Sequence, residues 1–260
     1  MSELKGYVDA DYLQVAARLL KPVKERSYDL MHIRSGQTVL DLGCGPGIDT
    51  IGLVRLTGPQ GKVVGVDRDA TMLEQARRHA QQAGVSASVE YACADATSLP
   101  FPCGYFHACR SERLFMHLPH AHEAMTEMVR VTKPGGWIVV VDPDWGTASV
   151  DTTEIETERR LMRFRAEKLM HNGYSGRQLY RLFTQHQLTD IAIEILPICV
   201  TDYALVRYMD RLDQIEQAAL AASCISHGEL LQWRRQLEKA DNAGFFFASV
   251  CLIVAVGCKS

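Results

Sequence analysis

The chain has 260 residues, 47% of them hydrophobic and 23% charged, which excludes a largely disordered chain, a collagen-like repeat and a disulfide-knotted miniprotein. That length suffices for one large α/β domain or two small ones with a buried core. Its 28 Lys+Arg against 31 Asp+Glu leave a net charge of −3, so no global basic field draws in nucleic acid or an acidic membrane.

The segment Met1–Leu13 has no apolar stretch of the kind a secretory leader needs, and no run reaches the ~18 apolar residues of a membrane span. The eight cysteines include no C-x-x-C pair and no matching histidine spacing. These features predict a cytoplasmic protein with reduced thiols and no metal.

In chain order, residues 3–35 read as helical, with a break or restart at Pro22 and an end at Gly36. Strands are predicted at 38–42, 62–67, 89–94, 105–110 and 137–141, alternating with helices at 70–83 and about 120–132. Such alternation implies βαβ units and a mainly parallel sheet. Beyond Asp142 the pattern turns helical and charged over 151–187, with a Gly-Tyr-Ser-Gly break at 173–176. A strand follows at 191–200, two helices fill 203–240, and the apolar run 245–256 is the last strand. No linker is visible. The chain reads as a single domain: N-terminal helices 1–36, a core 37–146, a lid and helix 147–188, and a helical insertion 203–243 before the last strand.

The informative stretch is Val39-Leu-Asp-Leu-Gly-Cys-Gly-Pro-Gly47. A strand that ends in Gly43-Cys44-Gly45-x-Gly47 and opens a helix brings bare backbone close to a ligand. Asp41 sits inside this approach. Asp67, followed by Arg68, ends the second strand, where a carboxylate accepts hydrogen bonds from both ribose hydroxyls. Asp95 and Ala96 follow the third strand, where a side-chain acceptor and a backbone N–H suit an adenine edge. Both SAM (S-adenosylmethionine) and NAD(P) sites use a glycine turn and a second-strand acid. The dinucleotide pattern G-x-G-x-x-G fits less well, because the third glycine comes one residue early and no Tyr/Lys pair serves a nicotinamide.

These residues resemble the class I SAM-dependent methyltransferases, in particular the branch around the ubiquinone/menaquinone-biosynthesis C-methyltransferases. The resemblance runs through Val39–Gly47, Val64–Asp67, Cys93–Ala96 with Leu99-Pro-Phe, and Leu114–Pro119 with Glu127–Gly136, covering about residues 38–142. It implies a Rossmann-like α/β fold: a seven-stranded, mainly parallel sheet in order 3-2-1-4-5-7-6, helices on both faces, and a helical cap. It also implies SAM held by Asp41, the glycine turn, Asp67 and Asp95.

The same resemblance places Arg110, on leaving strand four, beside the methionine end of the cofactor, where it would pair with the carboxylate. Arg26 and Arg113 are further candidates for that contact. His117, in L-x-x-H-L-P, matches a position from which relatives remove a proton; an imidazole suits that task near neutrality. A histidine that only packs its loop is the alternative. Asp142 and Asp144 follow strand five at the rim of the site, and Trp145 in the same loop would wall the acceptor pocket. Tyr7, Tyr12, His171 and Tyr174 complete the substrate candidates. Each has a plain packing role as its alternative, as do Leu205, Tyr208, Met209, Leu212 and Ile215 in the insertion.

The implied activity is methyl transfer to an oxygen, nitrogen or carbon atom of a small molecule, with a homodimer as the candidate assembly. Rival readings are a SAM-binding sensor, a cyclase or decarboxylase on the same fold, and an NAD(P)-dependent oxidoreductase.

Overall fold

The runs 39–42, 63–66, 108–111 and 138–141 become strand segments buried on both faces. In the computed structural model, which describes residues 19–260, β1 (Thr38–Leu42) lies between β2 (Lys62–Asp67) and β4 (Phe106–Glu112). All pairings of these strands are parallel, with Asp41 opposite Gly65 on one side and Arg110 on the other. β3 (Val89–Cys93) pairs with β2, and β5 (Thr132–Val150) with β4, also parallel. With β6 (Thr189–Val200) and β7 (Ala248–Cys258) the sheet has seven strands in order β3-β2-β1-β4-β5-β7-β6. That is the predicted order.

β7 runs against its neighbours. Near the start of β5 the Gly135 N–H donates to the Lys259 carbonyl just past β7 and the Gly136 carbonyl accepts from the Lys259 N–H, whereas Asp151 just past β5 donates to Phe247 just before β7. At the other edge, Thr189 at the start of β6 donates from Oγ1 to the Cys258 carbonyl at the end of β7. Val39, Leu40, Val63, Val64, Val66 and Ile138 to Val141 are all buried. Unbroken β-branched runs are what a sheet covered on both faces requires.

Nine α-helices are present among the described residues: α1 (Lys21–Asp29), α2 (Ile48–Thr57), α3 (Ala70–Gln82), α4 (Ala121–Val131), α5 (Ile155–Phe164), α6 (Ser175–Gln185), α7 (Tyr203–Met209), α8 (Leu212–Ala221) and α9 (His227–Asn242). Their ends follow from local chemistry. Asp69 caps α3 by accepting from the N–H groups of Thr71 and Met72, and Ser226 with Glu229 forms a capping box on α9. Pro22 falls in the first turn of α1, where its missing N–H costs nothing.

Three boundaries differ from the sequence reading. Helix α1 stops at Asp29, and residues 30–36 are turns with His32 at φ 48°, so the helical pattern does not run to 35. The region 203–240 holds three helices, because Arg211 adopts φ 50° between α7 and α8. No glycine or proline announces that break.

β5 continues to Val150, so Asp142, Asp144 and Trp145 belong to a strand and not to a loop. Pro143 is tolerated for a geometric reason. The Val141 carbonyl accepts from Arg113 and the Trp145 N–H donates to Gly173, so positions 141, 143 and 145 all face the side on which β4 has ended. The N–H that Pro143 lacks has no ladder partner there.

The chain gathers into two compact units. One comprises Val23–Asp142, Gly176–Glu194 and Ile253–Ser260, and carries the glycine turn. The other comprises Pro143–Ser175 and Ile195–Leu252 together with the segment ending at Pro22. Its core packs Leu161 and Met162 of α5 against Leu212 and Ile215 of α8 and Trp233 and Leu237 of α9, all nearly or fully buried. Leu212 and Ile215 therefore glue the insertion down. Trp233 has no exposed surface; aromatic side chains of this size bury about 150–250 Å² each. No described helix is long and apolar enough to cross a membrane.

Candidate functional site

The glycine turn is shaped by two opposite needs. Gly43, Gly45 and Gly47 all have positive φ (74°, 50° and 79°), which L side chains resist. At Gly47 a Cβ would lie 2.6 Å from Tyr91 Oη and 2.8 Å from Ala76 Cβ, so close packing alone demands glycine. At Gly45 a Cβ would meet nothing within 4 Å. The backbone there faces open space, as a backbone that cradles a ligand must. The turn is tied to β2 by the N–H groups of Gly43 and Cys44, which donate to the Val66 carbonyl at 2.7 and 3.0 Å. Gly47 then starts α2 with no side-chain cap. Burial pushes the Cys44 thiol up, making it an apolar filler of the turn rather than a nucleophile.

Asp67, at the carboxyl end of β2, accepts from the Gly45 N–H at 2.8 Å and from the Asp69 N–H at 3.0 Å. Each bond uses a different oxygen, so each oxygen keeps a lone pair for a hydroxyl, and the half-buried side chain is reachable. Asp95 sits at the end of β3. It accepts from Thr97 N and Thr97 Oγ1 at 2.8 and 2.7 Å, both through Oδ1. Those bonds hold the Asp95 carboxyl below its usual range. Ala96 is buried beside it, and Arg68 is exposed.

Arg110 lies elsewhere than a pairing with a ligand carboxylate would need. Its guanidinium has no exposed surface. Nε donates to Ser27 Oγ at 2.9 Å, Nη2 to Glu112, and Nη1 stands 3.5 Å from Asp41 Oδ1 and 3.6 Å from Asp49 Oδ2. An incoming carboxylate would meet three protein carboxylates there. Burial lowers the Arg110 pKa, but Asp49, Glu112 and Asp41 together hold it above its ordinary value.

Lys24 extends the cluster, donating to Asp49 at 2.6 Å and Glu112 at 2.8 Å, and Tyr28 donates to Asp49. Burial pushes the Asp41 carboxyl well above the carboxylate range, with Arg110 pulling it back only in part. Asp49 is held low, because Arg110 and Lys24 outweigh its burial. Two buried atoms in this cluster have no hydrogen-bond partner: Asp41 Oδ2 and Arg110 Nη1. Lys24, Tyr28, Asp49 and Glu112 were not singled out from the sequence. The available signal was spacing, since Asp49 comes two residues after Gly47 and Glu112 two after Arg110.

The remaining arginine candidates are also occupied. Arg26 makes an exposed pair with Glu194, and Arg113, at φ 54°, stands 3.5 Å from Glu112. His117 is exposed at the end of a 3₁₀ turn (Phe115–His117) that follows β4. Asp142 is fully buried near the end of the β4–β5 ladder, and Asp144 is nearly so. In the helical unit, Trp145 stacks under the Arg165 guanidinium at 3.5 Å, and Arg165 pairs with Asp210. Tyr174 donates to Glu167 at 3.3 Å, and His171 is exposed. Arg165 opens a π-helical turn (Arg165–Leu169), a feature the sequence did not disclose. Tyr7 and Tyr12 lie outside the described residues.

The donor set fits SAM. An open glycine turn, a reachable carboxylate at Asp67 with a lone pair left on each oxygen, an exposed carboxylate at Asp95 and a buried acid with a spare oxygen at Asp41 stand at the carboxyl ends of β1, β2 and β3, where open α/β sheets bind ligands.

The comparisons agree. Residues 39–136 match the family described as "Methyltransferase domain". A 37.1 kDa protein in transposon TN4556 of Streptomyces fradiae is 32% identical over 257 residues, covering 96% of this chain and 70% of that protein. The ubiquinone/menaquinone biosynthesis C-methyltransferase UbiE of Pseudomonas paraeruginosa is 39% identical over 119 residues, 46% of each chain, so the match spans under half of that relative. Among solved structures, the YcgJ protein of Bacillus subtilis superposes with a TM-score of 0.65 at 21% identity, covering 92% of this chain and 98% of that one. Geranyl diphosphate C-methyltransferase from Streptomyces coelicolor, solved with Mg2+, geranyl diphosphate and S-adenosyl-L-homocysteine, has a TM-score of 0.61 at 18% identity, covering 96% and 82%. At these identities the structural likeness is one of fold.

Proposed function

We propose that this chain, which belongs to the class I SAM-dependent methyltransferases, transfers a methyl group from SAM to an oxygen, nitrogen or carbon atom of a small molecule. The observation that carries the reading is the turn at Gly45, open above its backbone and bonded to Asp67. The cofactor supplies a methyl group already activated by a sulfonium, so the protein mainly has to align, exclude water and dispose of a proton.

Asp67 and the adjacent Arg68 flank the ribose, Asp95 and Ala96 the adenine, and the glycine turn the amino-acid end. Arg110 acts through Asp41, fixing that carboxylate from beneath. His117 is the group we assign to accept the acceptor's proton where the acceptor carries one; its exposure after β4 gives that proton a route to solvent. Asp142, Trp145, His171 and Tyr174, with Tyr7 and Tyr12, are assigned to the acceptor side. The slight acidic balance favours a small molecule over a nucleic acid, and the name of the UbiE relative supports a biosynthetic intermediate. We take the protein to be cytoplasmic, to act as one domain with 147–188 as lid and 203–243 as cap, and to pair as a homodimer.

Calorimetric titration with SAM, S-adenosylhomocysteine and NAD in parallel tests the donor site. Binding of the first two alone is the expected result; binding of NAD, or of none, overturns it. An acceptor screen read by S-adenosylhomocysteine formation then tests transfer, and a substrate consumed while SAM persists would assign a cyclase or decarboxylase instead.

A further inference from the structure

Lys24 lies outside the glycine turn and touches none of the groups assigned to the cofactor. It belongs instead to the charge cluster around Arg110. Three carboxylates, Asp41, Asp49 and Glu112, surround the fully buried Arg110, and Lys24 supplies the second cation by donating to Asp49 and Glu112 at once. Asp49 also accepts from Tyr28, and Glu112 from Arg110, so both have close donors. Asp41 has none: Oδ1 lies 3.5 Å from Arg110 Nη1, and Oδ2 has no partner. If the positive charge in the cluster fell, Asp41 would be the acid to take a proton.

We propose that Lys24 is a positioning residue that keeps Asp41 ionised, so that Asp41 attracts the ammonium of the cofactor's amino-acid end. The inference rests on the SAM reading above. Its chemistry is direct: a buried acceptor without a donor is costly, and a cationic nitrogen is the complement it lacks. The groups that face Asp41 are Arg110 and Glu112 from β4, Asp49 from α2, Lys24 and Tyr28 from α1, Cys44 from the turn and Tyr91 from β3. Burial raises the Asp41 carboxyl, and of these groups Arg110 and Lys24 oppose that rise. The sign follows. Cofactor affinity strengthens as pH climbs through the raised Asp41 value, and weakening the opposition moves that limb to higher pH.

The test is the pH dependence of S-adenosylhomocysteine and SAM binding between about pH 5.5 and 7.5, below the ordinary range of an α-amino group. In Lys24→Met the rising limb should move up by about one pH unit, weakening Kd roughly tenfold at the acid end of this window and only about threefold at its alkaline end. Lys24→Arg should restore the wild-type profile. Both ligands carry the ammonium, so both should shift. A shift for SAM alone, or a uniform loss at every pH, overturns the proposal.

Should Lys24→Met fail to fold, the wild-type protein still decides. Ionisation of Asp41 on binding releases a proton, which calorimetry in buffers of different ionisation enthalpy detects at the acid end. No release overturns the proposal. Failure of the wild type to bind either ligand is a different result, and it overturns the SAM reading itself.

Discussion

Two buried carboxylates, one in each unit, show how a site differs from a scaffold. Glu216 of α8 has no exposed surface and is fully engaged: it accepts from Trp233 Nε1 at 3.0 Å and Arg234 Nε at 2.8 Å, with Arg207 3.6 Å away. Asp41 of β1 is as deeply buried, but keeps an oxygen without any donor beside an arginine with an unused N–H. A buried acid with every lone pair matched holds helices together. One with a lone pair to spare is incomplete until something binds. The charges around Asp41 leave an acceptor open, and those around Glu216 in the helical unit leave none.

The largest effect should come from the acid that the ligand itself completes. Asp67→Ala removes the partner of the Gly45 N–H and, on the reading proposed above, two hydrogen bonds to the ribose. At about 1.5–3 kcal/mol for each hydrogen bond to a charged group, SAM affinity should fall by roughly two orders of magnitude or more. Titration of a variant that keeps the wild-type melting temperature checks this, and undiminished affinity would remove Asp67 from the site. For chemistry rather than binding, His117→Ala should lower kcat about a hundredfold with little change in KM for SAM, if the acceptor must lose a proton. A pH–rate profile that loses its acid limb in the variant identifies the base; an unchanged rate and profile leave His117 a loop residue.

On the scaffold side the readout reverses. Glu216→Ala should cost about 2–3 kcal/mol of stability, because it strands the Trp233 N–H, while its arginine partners keep some solvent. Denaturant unfolding measures that loss. Cofactor affinity per folded molecule should stay unchanged, and a matching loss of affinity would blur the contrast drawn here.

The same contrast explains what was legible in the sequence. Clustered glycines, an acid at a strand end and unbroken β-branched runs are local signals, and they marked the strands and singled out Asp41, Asp67 and Asp95, whereas the order of the strands in the sheet came only from the family resemblance. Charge partners are not local. Lys24 meets Asp49 across 25 positions and Glu112 across 88, so no window of sequence displays the cluster around Arg110. Arg110 was therefore read as facing a ligand when it faces Asp41, Asp49 and Glu112. The break at Arg211 was hidden for a related reason: a positive φ at an arginine is imposed by its surroundings and carries no compositional mark.

The smallest predicted effect concerns a local signal that could have been read. Ser226-x-x-Glu229 opens α9, and both halves of the capping box form, with Ser226 Oγ accepting from the Glu229 N–H at 3.2 Å and Glu229 accepting from the Ser226 N–H at 2.7 Å. Glu229 also pairs with Arg160 of α5, and these contacts together hold its carboxyl down at about 2. Ser226→Ala should cost about 1 kcal/mol, the ordinary worth of an N-cap. The Arg160 pair is largely exposed and should add little when it is broken alone. A double-mutant cycle of Ser226→Ala with Arg160→Met separates the two. Near-additivity would confine the effect to the end of α9, whereas strong coupling would mean that the capping box and the α5 contact form one unit.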